Sequence, residues 1–449
     1  MKKNFKRILM AIAVVIMIIP CALMFTGCNF SVSERFAQEM GYKSVDELME
    51  ALKGKDGKDG KDGQDGKDGL SVSQVDSWDM YQTAVENEEF TGTYIDFCKE
   101  FIDGTVDTTQ AIVNEYLLSV VKVYPHLGKN ETTGKLTNPT STTGSGVIVS
   151  LDSNGNAYIL TNYHVAYNSG SLLGGAPYYY LYLYQENDPI VATFVGGTAT
   201  YDLAVLKVKN SDILKNSKAK AVEFNTNDVK VGTGTIAIGN TEGEGIAVSK
   251  GTVSVDSETV IMDIVGARDY RLIRHETFIS HGNSGGALFN LDGELIGITN
   301  GGDDEFEHWN YAIPASVAYK VYQNILANCD GVSLVSAKVF TLGISTHTKD
   351  RDVIYNTETG FVDIFDEVTV VQINAGGSVS TAGGLSSGDV LKSIKINNNA
   401  PMEITREFHP RELMLTIREG DTIVIKADHA GTEVTVTITA SANYFTKIA

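Results

Sequence analysis

Short apolar segments separated by turn residues run through most of this 449-residue chain. Leu118-Ser119-Val120-Val121-Lys122-Val123 is the first, and turn pairs such as Asn154-Gly155 follow it. Apolar runs of this length, bounded by glycine and asparagine, predict β-strands. Polar and apolar positions also alternate over residues 433–439, which predicts a further strand. From about residue 115 onward the pattern therefore indicates a mainly β protein.

The first 27 residues follow another pattern. A basic start leads into an apolar run from Ile8 to about Phe25, which ends in Phe25-Thr26-Gly27-Cys28. This arrangement resembles a bacterial lipoprotein signal peptide over residues 1–27, with Cys28 as the lipidated first residue of the mature protein. An uncleaved transmembrane anchor is the alternative, although Pro20 interrupts the run. Both interpretations predict a protein held at the cell membrane, on its extracytoplasmic face.

Residues 28–114 are predicted to form a stalk with short helices and a low-complexity segment. Glycine recurs at every third position from Gly54 to Gly69, the spacing of collagen. The run is short and contains no proline, so a charged flexible spacer is the favoured interpretation. Ser44 and Thr93 are predicted to cap two short amphipathic helices on either side of it.

Composition and charge exclude several classes of function. The net charge is −20, and removing residues 1–27, which carry four basic and no acidic residues, leaves about −24. Such an acidic chain is a poor candidate for binding nucleic acid. The histidines show no metal-ligand spacing, and no glycine loop has the lysine that nucleotide phosphates require. We therefore expect no metal and no cofactor.

Three segments carry the pattern of a catalytic triad. His164 lies in Ile159-Leu160-Thr161-Asn162-Tyr163-His164-Val165, Asp202 opens Asp202-Leu203-Ala204-Val205, and Ser284 lies in Gly282-Asn283-Ser284-Gly285-Gly286. In this order, and with the flanking stretches at 144–149 and 293–298, they resemble the trypsin-fold serine proteases of the HtrA/Deg branch. The resemblance implies a chymotrypsin-like double β-barrel over residues 115–328.

Each residue type suits the chemistry that the resemblance implies. A serine hydroxyl is a weak nucleophile and needs a base, which His164 would supply. Asp202 would hold the imidazole and stabilise its charged form. The backbone N–H groups of Gly282 and Ser284 would form the oxyanion hole, where one donor is worth roughly 3–4 kcal/mol. Asn283 is neutral, so activation by a newly cut, charged N-terminus is not expected.

The substrate groove is predicted beside the serine. The resemblance puts its edge strand at Thr299-Asn300-Gly301-Gly302 and the base of its pocket at Phe278. The two glycines leave no side-chain wall, and Phe278 supplies no negative charge for lysine or arginine. A small or medium apolar residue is therefore expected before the scissile bond.

Residues 336–440 resemble a PDZ domain of the HtrA type. The stretch from Gly384 to Ile394 carries most of the resemblance. Leu342-Gly343-Ile344 is predicted to hold a peptide carboxylate through its backbone N–H groups, with the peptide added as an edge strand. The alternative is a PDZ fold retained for packing or gating without peptide binding.

Together these observations predict a surface-tethered serine endopeptidase that acts on unfolded or extracytoplasmic polypeptides. The expected partners are polypeptide substrates and the membrane, through the lipid anchor, and the resemblance adds a homotrimer. The alternative is a catalytically inactive surface lipoprotein that binds peptides through a protease-like scaffold. A disulfide between Cys98 and Cys329 stays open on sequence grounds.

Overall fold

The computed structural model describes Val85, Thr91 and residues 108–262, 268–303, 306–333, 336–357 and 360–448. Residues Asp107–Ala449 form one compact unit. The predicted signal peptide, Cys28, the Gly-x-y run and Cys98 lie outside the described residues. Within the described part of the chain, no helix is long and apolar enough to cross a membrane.

The first half of residues 115–328 is a closed antiparallel barrel. Its strands are β1 Val120–Lys129, β2 Leu136–Pro139, β3 Gly144–Leu151, β4 Ala157–Thr161, β5 Tyr178–Tyr182, β6 Ile190–Thr198 and β7 Leu203–Val208. The order is β2-β1-β3-β4-β7-β6-β5, and pairing of β1 with β5 closes the barrel and leaves β2 outside it. Alternate side chains point inward, so Ile148, Tyr179 and Leu206 are fully buried in its core.

The second half repeats this architecture. Its strands are β8 Gly234–Thr241, β9 Gly245–Met262, β10 Arg268–His275, β11 Ala287–Asn290, β12 Leu295–Asp303 and β13 Phe306–Pro314. They close in the order β10-β13-β12-β11-β8-β9. Val253, Ile273 and Leu288 belong to the buried apolar cluster of this barrel.

This topology confirms the prediction of a mainly β chain with a chymotrypsin-like double barrel. The predicted first strand begins two residues late, at Val120, because Leu117–Ser119 forms a 3-10 turn. The turn predicted at Asn154-Gly155 is present, with Gly155 at φ 76°. Four helices accompany the barrels in the described residues: α1 Thr108–Tyr116, α2 Tyr163–Ala166, α3 Asp212–Asn216 and α4 Ala315–Asn328.

A smaller sheet domain follows α4. It contains β14 Lys338–Phe340, β15 Ile344–Tyr355, β16 Val362–Ile373, α5 Ser378–Ala382, β17 Val390–Ile396, β18 Met402–Glu403, α6 His409–Leu413, β19 Thr422–His429, β20 Thr432–Thr439 and β21 Phe445–Lys447. The main sheet has the order β15-β16-β17-β19-β20, with β18 beside β17, while β14 pairs with β21. The strand predicted over residues 433–439 is β20. The assignment to the PDZ type stays a prediction.

Ion pairs join the sheet domain to the second barrel. The carboxylate of Glu412 on α6 accepts from Arg271 Nε at 2.5 Å and lies 3.2 Å from Lys320 Nζ. Arg406 Nη1 donates to Asp256 at 2.7 Å. A cavity of about 440 Å³ lies between the two domains beside these pairs.

Candidate active site

His164 and Asp202 meet at the junction of α2 with the start of β7. The Nδ1 atom of His164 lies 2.7 Å from Asp202 Oδ2, and the backbone N–H of His164 donates to Asp202 Oδ1 at 2.8 Å. The side chains are 16% and 5% exposed, respectively. A carboxylate on Nδ1 favours the tautomer that leaves Nε2 free to accept a proton.

The loop that carries Asp202 is held tightly against α2. Asp202 has a positive φ of 49°, which is uncommon outside glycine. Its carbonyl accepts from the backbone N–H of Tyr163 at 3.0 Å and from the Asn162 side chain at 2.9 Å. These bonds fix the start of α2, and with it His164, relative to Asp202.

Asn300 and Tyr270 complete the surroundings of Asp202. Asn300 Nδ2 donates to Asp202 Oδ2 at 2.6 Å, and the Tyr270 hydroxyl donates to Asn300 Oδ1 at 3.2 Å. Burial, and then the charge of Asp202, raise the pKa of Tyr270 well above its usual value, so its hydroxyl stays protonated. Because Tyr270 bonds the amide oxygen, the amide nitrogen faces Asp202.

Ser284 lies in the glycine loop between β10 and β11. Its hydroxyl donates to the carbonyl of Asn300 at 2.8 Å, and among the described residues it makes no hydrogen bond to His164. Gly282 has φ 88° and Gly285 φ 85°; a Cβ on Gly282 would lie 2.1 Å from the carbonyl oxygen of Asn240. The loop therefore requires glycine at both positions.

The two N–H groups predicted for the oxyanion hole are available. Within the described residues, neither Gly282 nor Ser284 donates its backbone N–H to a protein acceptor. Asn283, between them, is buried, and its amide bonds the hydroxyl of Thr241 at 3.2 Å. An asparagine therefore holds the loop through neutral hydrogen bonds.

Ser145 supports the same loop and was not found from the sequence. Its hydroxyl donates to the carbonyl of Gly282 at 2.7 Å and accepts from the backbone N–H of Asn240 at 2.7 Å. Its own N–H donates to the carbonyl of Ser284 at 2.8 Å. Ser145, in the first barrel, thus ties the glycine loop of Ser284 to Asn240 of β8 in the second barrel. Its place at the start of β3, two residues after Thr143, carries no signal of this role.

The predicted groove strand is part of β12. Thr299 and Asn300 are buried, and the Thr299 hydroxyl donates to the carbonyl of Asn283 at 2.5 Å. Their side chains therefore support the loop and Asp202, while Gly301 and Gly302 pair with Tyr311 and Asn310 of β13. Phe278 is 58% exposed, and its carbonyl accepts from the Ser249 hydroxyl at 2.5 Å. The roles of these residues in substrate binding stay a prediction.

The predicted carboxylate loop opens β15 in the sheet domain. Gly343 has φ 71°, and the carbonyl of the buried Leu342 accepts from the Val379 N–H and the Ser378 hydroxyl. Peptide binding there stays a prediction, as does any role of Ile344. Within the described residues, no cluster of His, Cys, Asp and Glu side chains could hold a metal ion.

Residues 144–298 match the family model described as a trypsin-like peptidase domain, and this range includes all three residues predicted for the triad. The chain is 31% identical over 260 residues to a serine endoprotease DegS of Haemophilus influenzae, covering 57% of this chain and 65% of the relative. It is 28% identical over 312 residues to a serine protease Do-like HtrA of Bacillus subtilis, covering 66% and 62%. The chain thus spans less than two thirds of the length of these relatives.

Solved structures give a weaker likeness. The serine endoprotease from Yersinia pestis shares 24% identity at a TM-score of 0.44, with 77% of this chain and all of that chain covered. The HtrA-type protease AlgW with a decapeptide shares 23% identity at a TM-score of 0.48, with 75% and 98% covered.

Proposed function

We propose that this chain is a serine endopeptidase that uses His164 as base, Asp202 as its orienting carboxylate and Ser284 as nucleophile. The observation that carries the proposal is the bond of 2.7 Å between His164 Nδ1 and Asp202. Asn300 links this pair to Ser284, because its side chain donates to Asp202 and its carbonyl accepts from the Ser284 hydroxyl. The loop of Ser284 also offers two backbone N–H groups that donate to no protein acceptor in the described residues. The similarity of residues 144–298 to trypsin-like peptidase domains supports it.

The reaction follows from these positions. The Ser284 hydroxyl passes its proton to His164 Nε2 while Oγ attacks the scissile carbonyl carbon. The N–H groups of Gly282 and Ser284 stabilise the resulting oxyanion. His164 then gives the proton to the leaving amine, which departs and leaves an acyl-enzyme. A water molecule then takes the place of the amine and attacks the acyl carbon while His164 Nε2 accepts its proton. His164 returns that proton to Ser284 Oγ as the carboxylic acid product leaves.

The Ser284 hydroxyl must first change partner. It donates to the carbonyl of Asn300, so attack requires rotation about χ1 from that position toward His164 Nε2. Side-chain rotation between staggered wells is fast, on the scale of nanoseconds for accessible residues. The bond to Asn300 therefore describes a resting rotamer rather than a blocked site.

The wider setting is also part of the proposal. Lipidation at Cys28 and a stalk over residues 28–114 would tether the enzyme to the extracytoplasmic face of the membrane. Unfolded or extracytoplasmic polypeptides would be its substrates, residues 336–440 would act as a PDZ domain, and three chains would assemble. The names of the DegS and HtrA relatives support an HtrA-type protease.

Covalent labelling tests the function. The full chain should react with a fluorophosphonate probe and digest casein, and Ser284→Ala and His164→Ala should reduce both to the same floor, because the triad acts as one unit. Ser280→Ala is the matched control: its hydroxyl lies in the same loop and has no hydrogen-bond partner in the described structure. It should label like the wild type. A wild-type chain that stays unlabelled would support the inactive peptide-binding alternative.

A further inference from the structure

The outer wall of the first barrel carries an unusual aromatic face. Along β5 and the two residues that follow it, Leu181 and Leu183 point into the core, while Tyr180, Tyr182 and Tyr184 alternate with them on the outside. The facing strand β1 presents three outward side chains, at positions 122, 124 and 126. In the antiparallel register Lys122 pairs with Tyr182, and Tyr124 with Tyr180. Outward positions of a small barrel are ordinarily polar, so an aromatic cluster there indicates a binding surface.

These rings border a cavity of about 470 Å³ on the barrel surface. We call it the tyrosine pocket; its lining residues are Lys122, Tyr124, His126, Pro139, Thr140, Tyr180, Tyr182, Glu186 and Asn187. The rings of Tyr124 and Tyr182 pack edge to face with their centroids 5.6 Å apart, and those of His126 and Tyr180 do the same at 4.8 Å. The volume is within the range of small-ligand sites and exceeds that of one aromatic side chain.

The walls of the pocket are held in place before any ligand arrives. The Tyr180 hydroxyl accepts from the backbone N–H of Leu136 at 2.7 Å, and the Tyr124 hydroxyl donates to the carbonyl of Gly243 at 3.3 Å. A fixed aromatic wall lowers the entropic cost of binding.

A series of protein contacts joins the tyrosine pocket to the loop that carries Ser284. Gly243, which accepts from Tyr124, donates its N–H to the carbonyl of Asn240 at 3.0 Å. That carbonyl packs directly against Gly282, one of the two oxyanion donors. The contacts thus lead from the pocket to the oxyanion side of Ser284. The groove strand at 299–302 lies on the other side, where Asn300 accepts from the Ser284 hydroxyl.

We infer that the tyrosine pocket is a subsite for the part of a polypeptide substrate downstream of the scissile bond, and that it favours an aromatic side chain there. The inference rests on the proposed function. In a bound substrate, the acyl part lies along β12 and the scissile carbonyl enters the oxyanion hole. The part of the substrate downstream of that carbonyl then continues past Gly282 toward Tyr124. An aromatic side chain would then stack against Tyr182.

The test compares two substrates on the full chain. One is a peptide with phenylalanine downstream of the cleaved bond, the other an ester of the same acyl sequence with a small chromogenic leaving group. Tyr182→Ala should lower kcat/KM for the peptide about tenfold, the value of one aromatic contact, and leave the ester unchanged. Tyr184→Ala, an outward tyrosine that does not line the pocket, is the control and should change neither.

The outcomes separate the two proposals. Equal loss on both substrates, or no loss on the peptide, would overturn the subsite. Binding of the same peptide to the Ser284→Ala chain, measured by fluorescence anisotropy, gives a readout that needs no catalysis: Tyr182→Ala in that background should weaken binding about tenfold. If the wild-type chain is unlabelled by fluorophosphonate but binds the peptide through Tyr182, the proposed peptidase activity is refuted while peptide binding at the tyrosine pocket is supported. Displacement of the peptide by an oligosaccharide would contradict the polypeptide occupant.

Discussion

Asn300 offers the sharpest test of how this site is held together. Its amide nitrogen donates to Asp202 Oδ2 at 2.6 Å, on the oxygen that also faces His164. Truncation in Asn300→Ala removes this donor and leaves the carboxylate, which is only 5% exposed, with one polar partner fewer. The backbone carbonyl that holds the Ser284 hydroxyl remains, so the change isolates the support of Asp202.

The size of the effect follows from the type of bond. A hydrogen bond to a charged group is worth about 1.5–3 kcal/mol. If the support is needed as charge develops on His164, kcat should fall about 10- to 100-fold in Asn300→Ala, at 1.36 kcal/mol per decade. Tyr270→Phe removes only a neutral bond that orients the amide, so the loss there should be about two- to tenfold. Asn300→Asp should cost more than Asn300→Ala, because two adjacent carboxylates repel each other.

The assay is hydrolysis of the chromogenic ester by the full chain, with the unfolding midpoint recorded for each variant. The expected order of activity is wild type, Tyr270→Phe, Asn300→Ala and Asn300→Asp. Wild-type kcat in Asn300→Ala would refute the reasoning, and so would a loss that only tracks the unfolding midpoint.

Two further predictions concern stability. Burial in the second barrel lowers the pKa of His275 from 6.5 to about 4, so the unfolded chain binds a proton at this residue more readily than the folded chain. The free energy of unfolding is therefore unaffected above pH 6.5 and falls as the pH drops toward 4, by about 2 kcal/mol at pH 5. Urea unfolding at pH 7 and 5 should therefore show a smaller difference for His275→Leu than for the wild type, and an equal difference would contradict it. Glu412→Ala should lower the free energy of unfolding by roughly 3–5 kcal/mol, because Arg271 keeps a buried charge without its carboxylate partner. Urea unfolding of the control Glu419→Ala, at an exposed position, should give a value close to that of the wild type. A similar loss in both variants would count against the ion pair.

The parts of the site that the sequence predicts are those fixed by local chemistry. Nothing but glycine fits the loop at Gly282 and Gly285, so the glycine setting of Ser284 is visible in the chain itself. Alternating apolar positions likewise predict strands, and two barrels follow once the resemblance supplies their order. By contrast, the direction of the Asn300 side chain depends on a register irregularity in β12 between Thr299 and Gly301. No pattern of residues in the sequence predicts that irregularity.

The domain contact is harder to predict because it depends on pairs that are far apart in sequence. His409-Pro410-Arg411-Glu412-Leu413 reads as a short polar helix, yet Glu412 is buried against Arg271, 141 residues away. Neighbouring side chains of a strand point to opposite faces. In β10, Tyr270 reaches Asn300 near Asp202, while Arg271 reaches Glu412 in the sheet domain. One strand therefore holds both the support of the candidate triad and the main ion pair of the domain contact, an arrangement that arises only when the barrel closes.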